Sequence, residues 1–172
     1  ILDMTSLHEK FGYLKGLKVG IIGDISHSRV ALSNIHGLKT MGAEVTLCGP
    51  STLIPPFAED LGVSVNYNVD EVIEWADALN VLRIQRERMG GGLLPSVREY
   101  RNLFGITTER LSMHKKEIVI MHPGPMNRGV EIDSLVADSD QAIILDQVLN
   151  GVASRMAILY LLLGGKQEQE NS

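Results

Sequence analysis

The chain has 172 residues, 44% hydrophobic and 22% charged, with a formal net charge of −5. These proportions exclude wholesale disorder, and the acidic balance argues against a dedicated nucleic-acid binder, which carries a basic face. A single cysteine, Cys48, excludes an internal disulfide framework and a cysteine-based zinc cage, and suits a reducing, cytoplasmic setting.

Residues 1–7 read as the middle of a helix with no capping residue ahead of it, so the chain is expected to begin inside a larger protein. Leu2, Leu7 and Phe11 continue that helical spacing to a stop at Gly12. Residues 17–23 (LKVGIIG) form an apolar run of strand length, followed by a loop. Ser26 or Ser28 can cap a helix running to about Met41, with Val30, Leu32, Ile35 and Leu38 among its apolar positions. Gly42 breaks it, and residues 44–48 (EVTLC) make the next strand. A helical turn near residues 56–61, a short strand at 63–66, a short helix at 70–75 and a strand at 78–82 follow. Residues 83–95 read as loop, and Thr107 or Thr108 can cap a helix over 109–114. Residues 117–121 (EIVIM) form a fifth strand, stopped by Pro123. After another loop, residues 141–163 make the longest helix, and the polar tail 166–172 is expected to fray. The longest apolar run, 156–163, is too short to span a bilayer, and no signal-peptide pattern occurs, so no membrane partner is expected.

Strands alternating with helices imply right-handed βαβ units on a parallel sheet, and continuous apolar runs such as IVIM suit strands covered on both faces. The expected fold is an α/β doubly wound three-layer sandwich with a parallel sheet of about five strands, Rossmann-like but without a dinucleotide motif. Ligands of such sheets bind beyond the C-terminal ends of strands, which selects residues 23–29, 83–88 and 122–129.

A dinucleotide is the default guess for this fold, and the sequence speaks against it. The loop after the first strand lacks G-x-G-x-x-G, Asp24 sits where a pyrophosphate would approach, and the second strand ends in Cys48-Gly49 with no acid for a ribose hydroxyl. No P-loop occurs either. In the first segment, Arg29 beside a helix N-terminus makes an anion site, although a solvated surface arginine reads equally well from this segment alone. Asp24 suits a loop-holding role, and His27 an exposed polar one. In the second segment, Arg83 leaves the strand tip first and can aim a bidentate fork at a carboxylate, with Gln85 on the same face. Arg86, Glu87 and Arg88 read more readily as a solvated charged cluster. In the third, Pro123-Gly124-Pro125 makes a stiff turn whose carbonyls cannot all pair internally; taken alone it reads as a rigid connector. Together the three segments place two arginine forks and a carbonyl-rich turn on one sheet edge, a site for a small dicarboxylate bearing nitrogen.

The runs GDISHSR (residues 23–29), LRIQRER (82–88), MHPGPMNRGVEI (121–132) and NGVASRMAIL (150–159) give the chain a colinear resemblance to the aspartate carbamoyltransferase catalytic chain, specifically its C-terminal, aspartate-binding half. The resemblance implies that Arg29 and Arg83 grip the carboxylates of L-aspartate and that Gln85 helps to place it. It implies that Pro123, Gly124 and Pro125 contact the carbamoyl group of carbamoyl phosphate. It also implies an organisation: residues 1–16 as the linking helix from a missing N-terminal carbamoyl-phosphate domain, 17–140 as the aspartate-binding α/β domain, and 141–165 as a helix returning toward the missing half. The family's S-x-R-T-R loop and HPTQ motif do not occur in these residues, so no catalytic residue is assigned and the chain alone is expected to be inactive. No metal or organic cofactor is implied, and intact chains are expected to form a homotrimer. Ornithine carbamoyltransferase, the nearest rival, would show an HCLP turn and a D-x-x-x-S-M-G loop, and neither occurs. The non-enzyme alternative is a free-standing amino-acid-binding or assembly domain of the same fold.

Overall fold

The computed structural model describes residues 1–84, 96–114 and 117–164. Five parallel strands, β1 (Lys18–Ile22), β2 (Glu44–Cys48), β3 (Ser64–Val65), β4 (Ala78–Val81) and β5 (Val119–Met121), lie in the order β3-β2-β1-β4-β5. The helices among the described residues are α1 (Leu2–Phe11), α2 (Arg29–Thr40), α3 (Val69–Trp75), α4 (Val97–Phe104), α5 (Thr108–Met113), α6 (Ser134–Ala137) and α7 (Ile144–Gly164). This is the expected doubly wound sandwich. From β1 the chain winds outward through β2 and β3, then returns to β4 on the other side. The winding therefore reverses at the β1/β4 boundary, where such sheets open a crevice.

Strand alternation builds a core on each face. Val19 and Ile21 of β1 pack with Leu7 of α1 and with Ala31, Ile35 and Leu38 of α2. Ile22 joins Val72 and Ile73 of α3, Tyr100 and Phe104 of α4, and Leu79 and Val81 of β4 on the opposite face. With both faces covered, the strands read as unbroken apolar runs.

Boundaries agree with the expectations where a cap or a glycine sets them. Ser28, rather than Ser26, caps α2, its hydroxyl accepting from the Ala31 N–H at 3.2 Å. Thr107 caps α5 in the same way, accepting from Arg110 N–H at 3.2 Å. β3 is shorter than 63–66 because it pairs with β2 alone, at the sheet edge. α7 starts at Ile144, not 141, because residues 141–143 pair with β5. The Ile120 N–H donates to the Gln141 carbonyl at 2.8 Å, and Ile143 N–H returns to the Ile120 carbonyl at 3.0 Å. α4 and α6 have no counterpart among the elements expected from sequence. For α4 the signal is there: Ser96 and Glu99 stand at capping-box spacing, the Ser96 hydroxyl accepting from Glu99 N–H at 3.0 Å, and Val97, Tyr100 and Phe104 share helical spacing.

α7 runs for 21 residues, and by length and composition it is apolar enough to cross a membrane. One side carries polar groups into this domain instead. Asn150 donates to Ser6 Oγ of α1 at 3.0 Å and to Glu9 Oε2 at 2.6 Å. Leu145, Leu149, Met156 and residues 159–163 stand exposed on the rest of its surface.

Burial in the core pushes the Cys48 thiol up to about 12. At pH 8 the folded chain then holds about one thiolate in ten thousand, and alkylation by iodoacetamide follows transient unfolding. The expected outcome is no labelling of the folded chain on a timescale that labels the urea-unfolded chain fully. Labelling of both at one rate would contradict the burial. Above the thiol's ordinary 9.0 the unfolded chain loses a proton that the folded chain keeps, so this group lowers stability as pH rises.

Candidate functional site

The three candidate segments leave three adjacent strands, and the pairing register levels the strand ends. Ile22 lies opposite Val81, and Asn80 opposite Met121. The ends of β1 and β2 approach closely. Gly23, at φ +125°, donates its N–H to the Cys48 carbonyl at 2.9 Å, and a Cβ on Gly49 would lie 2.5 Å from the Gly23 carbonyl oxygen. Only glycine fits both positions.

Beyond β1, the buried carboxylate of Asp24 accepts from the His27 N–H at 3.2 Å and contacts His27 Nδ1 at 2.8 Å. That is the loop-holding role read from the sequence. Arg29 follows as the first residue of α2 and is exposed. Beyond β4, Arg83 is half-buried, between the buried Leu82 and Ile84. Gln85, Arg86, Glu87 and Arg88 lie outside the described residues. Beyond β5, Pro123 is half-buried and Gly124 and Pro125 are exposed, with a cis Gly124–Pro125 peptide.

A buried network anchors this last turn. His122 Nδ1 accepts the Gly124 N–H at 2.8 Å. A backbone N–H can only donate, so Nδ1 is unprotonated and Nε2 carries the hydrogen, pointing at Glu131 Oε1, 3.2 Å away. Glu131 is fully buried and also accepts from Asn127, through its N–H at 2.5 Å and its Nδ2 at 3.2 Å. Asn127 Nδ2 reaches across to the Ile84 carbonyl at 2.9 Å. The turn after β5 is thereby tied to the residue following Arg83. Arg128 faces away, forming a bidentate pair with Asp138 at 2.7 Å that holds the Asp138 carboxyl below its ordinary range.

A cavity of about 400 Å³ opens beside the turn. Its walls include Val30, Pro123, Gly124, Gln147 and Arg155. The two arginines read from the sequence are not among its lining residues, whereas Arg155 of α7 is a third guanidinium that the sequence does not single out. Tyr100 is likewise unmarked in the sequence. It is fully buried, its hydroxyl lies 3.3 Å from where a Gly23 Cβ would project, and burial pushes its phenol well up.

The family model for the aspartate/ornithine carbamoyltransferase Asp/Orn binding domain matches residues 15–162. The chain belongs to the aspartate/ornithine carbamoyltransferase family. An aspartate carbamoyltransferase catalytic subunit from Gemmatimonas aurantiaca is 57% identical over 168 residues, covering 98% of this chain and 53% of that protein. The chain spans about half the length of the curated relatives it matches. The catalytic subunit of M. jannaschii aspartate transcarbamoylase has the same fold, with TM-score 0.79 at 30% identity over 98% of this chain and 56% of that one. The aspartate transcarbamoylase from Trypanosoma cruzi, solved in complex with aspartate and phosphate, gives TM-score 0.74 at 27% identity over 92% of this chain and 51% of that one.

In this chain the residues hardest to read from sequence are those of the network beneath the turn, His122, Glu131 and Asn127, although all three stand within the MHPGPMNRGVEI run. A glutamate amid apolar neighbours, Val130 and Ile132, is the available signal. Glu131→Gln replaces an acceptor-only group with one that turns an N–H toward another donor. The expected cost is about 2–4 kcal/mol in urea unfolding, with faster hydrogen exchange at the Asn127 N–H. A loss below about 0.5 kcal/mol would contradict the network.

Proposed function

We propose that this chain is the aspartate-binding portion of an aspartate carbamoyltransferase, which transfers the carbamoyl group of carbamoyl phosphate to L-aspartate in de novo pyrimidine biosynthesis. The observation that carries the proposal is the alignment of three adjacent strand ends. They bring Arg29, Arg83 and the Pro123–Gly124–Pro125 turn to one edge of the sheet, within a fold and family whose curated relatives bear that name.

Arg29 and Arg83 hold the two carboxylates of aspartate, Gln85 helps to place it, and the α-amine is thereby aimed at the carbamoyl carbon. The neutral amine attacks that carbon, the carbon–oxygen bond to phosphate breaks, and N-carbamoyl-L-aspartate and phosphate leave. Catalysis is then positioning plus stabilisation of charge in the tetrahedral intermediate, with the carbonyls of the 123–125 turn accepting from the carbamoyl NH₂. The phosphate-binding and proton-handling groups belong to an N-terminal half, so these 172 residues alone do not turn over. Closure of the two halves brings the reactants together.

The proposal includes the organisation read from the resemblance. Residues 1–16 link to the N-terminal half, 17–140 bind aspartate, and α7 returns to pack on that half, which covers the exposed Leu145, Leu149 and Met156. Intact chains assemble as a homotrimer in the cytoplasm, with no cofactor, nucleic acid or membrane involved. Two guanidiniums suit a second carboxylate and repel the cationic side chain of ornithine, which favours aspartate over the other branch of the family.

In the full-length chain, Arg83→Ala is expected to lower kcat/KM for aspartate about 30- to 800-fold, the equivalent of about 2–4 kcal/mol for a desolvated arginine–carboxylate contact. Steady-state rates of carbamoyl-aspartate formation against aspartate concentration check this. Near-normal aspartate kinetics, or equal rates with ornithine, would overturn the assignment.

A further inference from the structure

We infer that Asp3 is a positioning residue for the 123–125 turn, acting through Gln147 and His122. The inference rests on the reading above that this turn touches the carbamoyl group.

Asp3 sits in the first turn of α1 and is 5% exposed. Its carboxylate accepts from three neutral amides: Asn34 Nδ2 of α2 at 2.5 Å, Gln147 Nε2 of α7 at 2.7 Å and Asn80 Nδ2 of β4 at 3.3 Å. A buried carboxylate is retained when donors surround it, and these three come from three elements far apart in the chain. α2 opens with Arg29, and Arg83 follows two residues beyond the end of β4. One carboxylate thus touches the helix that opens with Arg29 and the strand that leads into Arg83.

The link to the turn is directional. The His122 N–H donates to Gln147 Oε1 at 2.9 Å. Because that donor is fixed by the backbone, the Gln147 amide has one orientation, with Nε2 toward the acceptor-only Asp3. The His122 ring in turn accepts the Gly124 N–H. The series Asp3–Gln147–His122–Gly124 therefore has a set donor and acceptor at every step. It connects the α1/α7 helix pair to the turn without any cation.

This directionality separates positioning from simple packing. In Asp3→Asn, one carboxylate oxygen becomes an NH₂; the oxygen that accepts from both Asn34 and Asn80 stays an acceptor, and the NH₂ faces the single donor of Gln147. The Gln147 amide then reverses and abandons the His122 N–H. In Gln147→Glu, two carboxylates meet at the 2.7 Å contact. The double variant D3N/Q147E restores every donor and acceptor, with the carboxylate moved to position 147 and net charge unchanged. The amide at position 3 then donates to the carboxylate at position 147 and still accepts from Asn34. That relocated carboxylate still accepts from the His122 N–H.

The test compares wild type, D3N, Q147E and the double variant in the full-length chain. The readouts are kcat and KM for each substrate and hydrogen exchange at the His122 and Gly124 N–H groups. Each single variant is expected to lose about 30-fold or more in kcat/KM for carbamoyl phosphate, with faster exchange at both amides. The double variant is expected to return to within about fivefold of wild type, with exchange slowed again. A D3N enzyme within about threefold of wild type, or a double variant as impaired as the singles, would overturn the inference. If D3N does not fold, recovery in the double variant relative to Q147E decides in the same way. If wild type itself makes no carbamoyl-aspartate, the functional reading fails, and exchange at Gly124 alone decides whether the relay stands.

Discussion

Two buried carboxylates, with no cation paired to them among the described residues, govern the geometry of the sheet's C-terminal edge. Asp3 and Glu131 are each almost wholly removed from water and each satisfied by amides, backbone N–H groups or a neutral imidazole. A charge in that position is costly unless every acceptor site is filled, so the surrounding groups have few acceptable arrangements. Glu131 fixes the turn after β5 to the residue that follows Arg83, through Asn127. Asp3 joins α1, α2, β4 and α7. Neither carboxylate needs to touch a ligand to shape the place where one binds.

The winding of the sheet supplies the rest. β1, β4 and β5 are neighbours although their sequence positions span residues 18–121, and the fold reverses between β1 and β4. Three loops that are distant in sequence therefore open side by side. Arg83 lies two residues beyond β4, and Arg29, seven residues beyond β1, opens α2. In the proposed function these two arginines receive the carboxylates of the substrate. α7 lines the cavity beside the 123–125 turn through Gln147, Val148, Val152 and Arg155, and also exposes Leu145, Leu149 and Met156.

Much of the fold is legible because local signals agree with tertiary packing. EVTLC between Gly42 and Gly49 is β2 to the residue, and Ser28 stands where a helix needs an acceptor for its first N–H groups. α4 escapes notice despite Ser96 and Glu99 at capping spacing, since only Val97, Tyr100 and Phe104 mark its apolar side. The start of α7 is misplaced from sequence because residues 141–143 are apolar enough for a helix, yet hydrogen-bond to β5. The candidate arginines are visible through their position after strand runs, and the resemblance gives them roles. Of the groups that hold the edge, Glu131 leaves only the faint signal of a glutamate between Val130 and Ile132, and Asp3 and Gln147 leave none. Asp3 and Gln147 are 144 residues apart, and no periodicity in either segment announces that they meet. A buried polar pair of that separation is a product of topology, and composition carries no trace of it.

The most direct test is a crystal structure of the full-length chain with aspartate and phosphate bound. The predicted result has the Arg29 and Arg83 guanidiniums each on a carboxylate of aspartate, with the 123–125 turn facing the α-amine and Asp3, Gln147 and His122 still joined beneath it. Aspartate bound away from either arginine, or a turn displaced with that buried series broken, would contradict it.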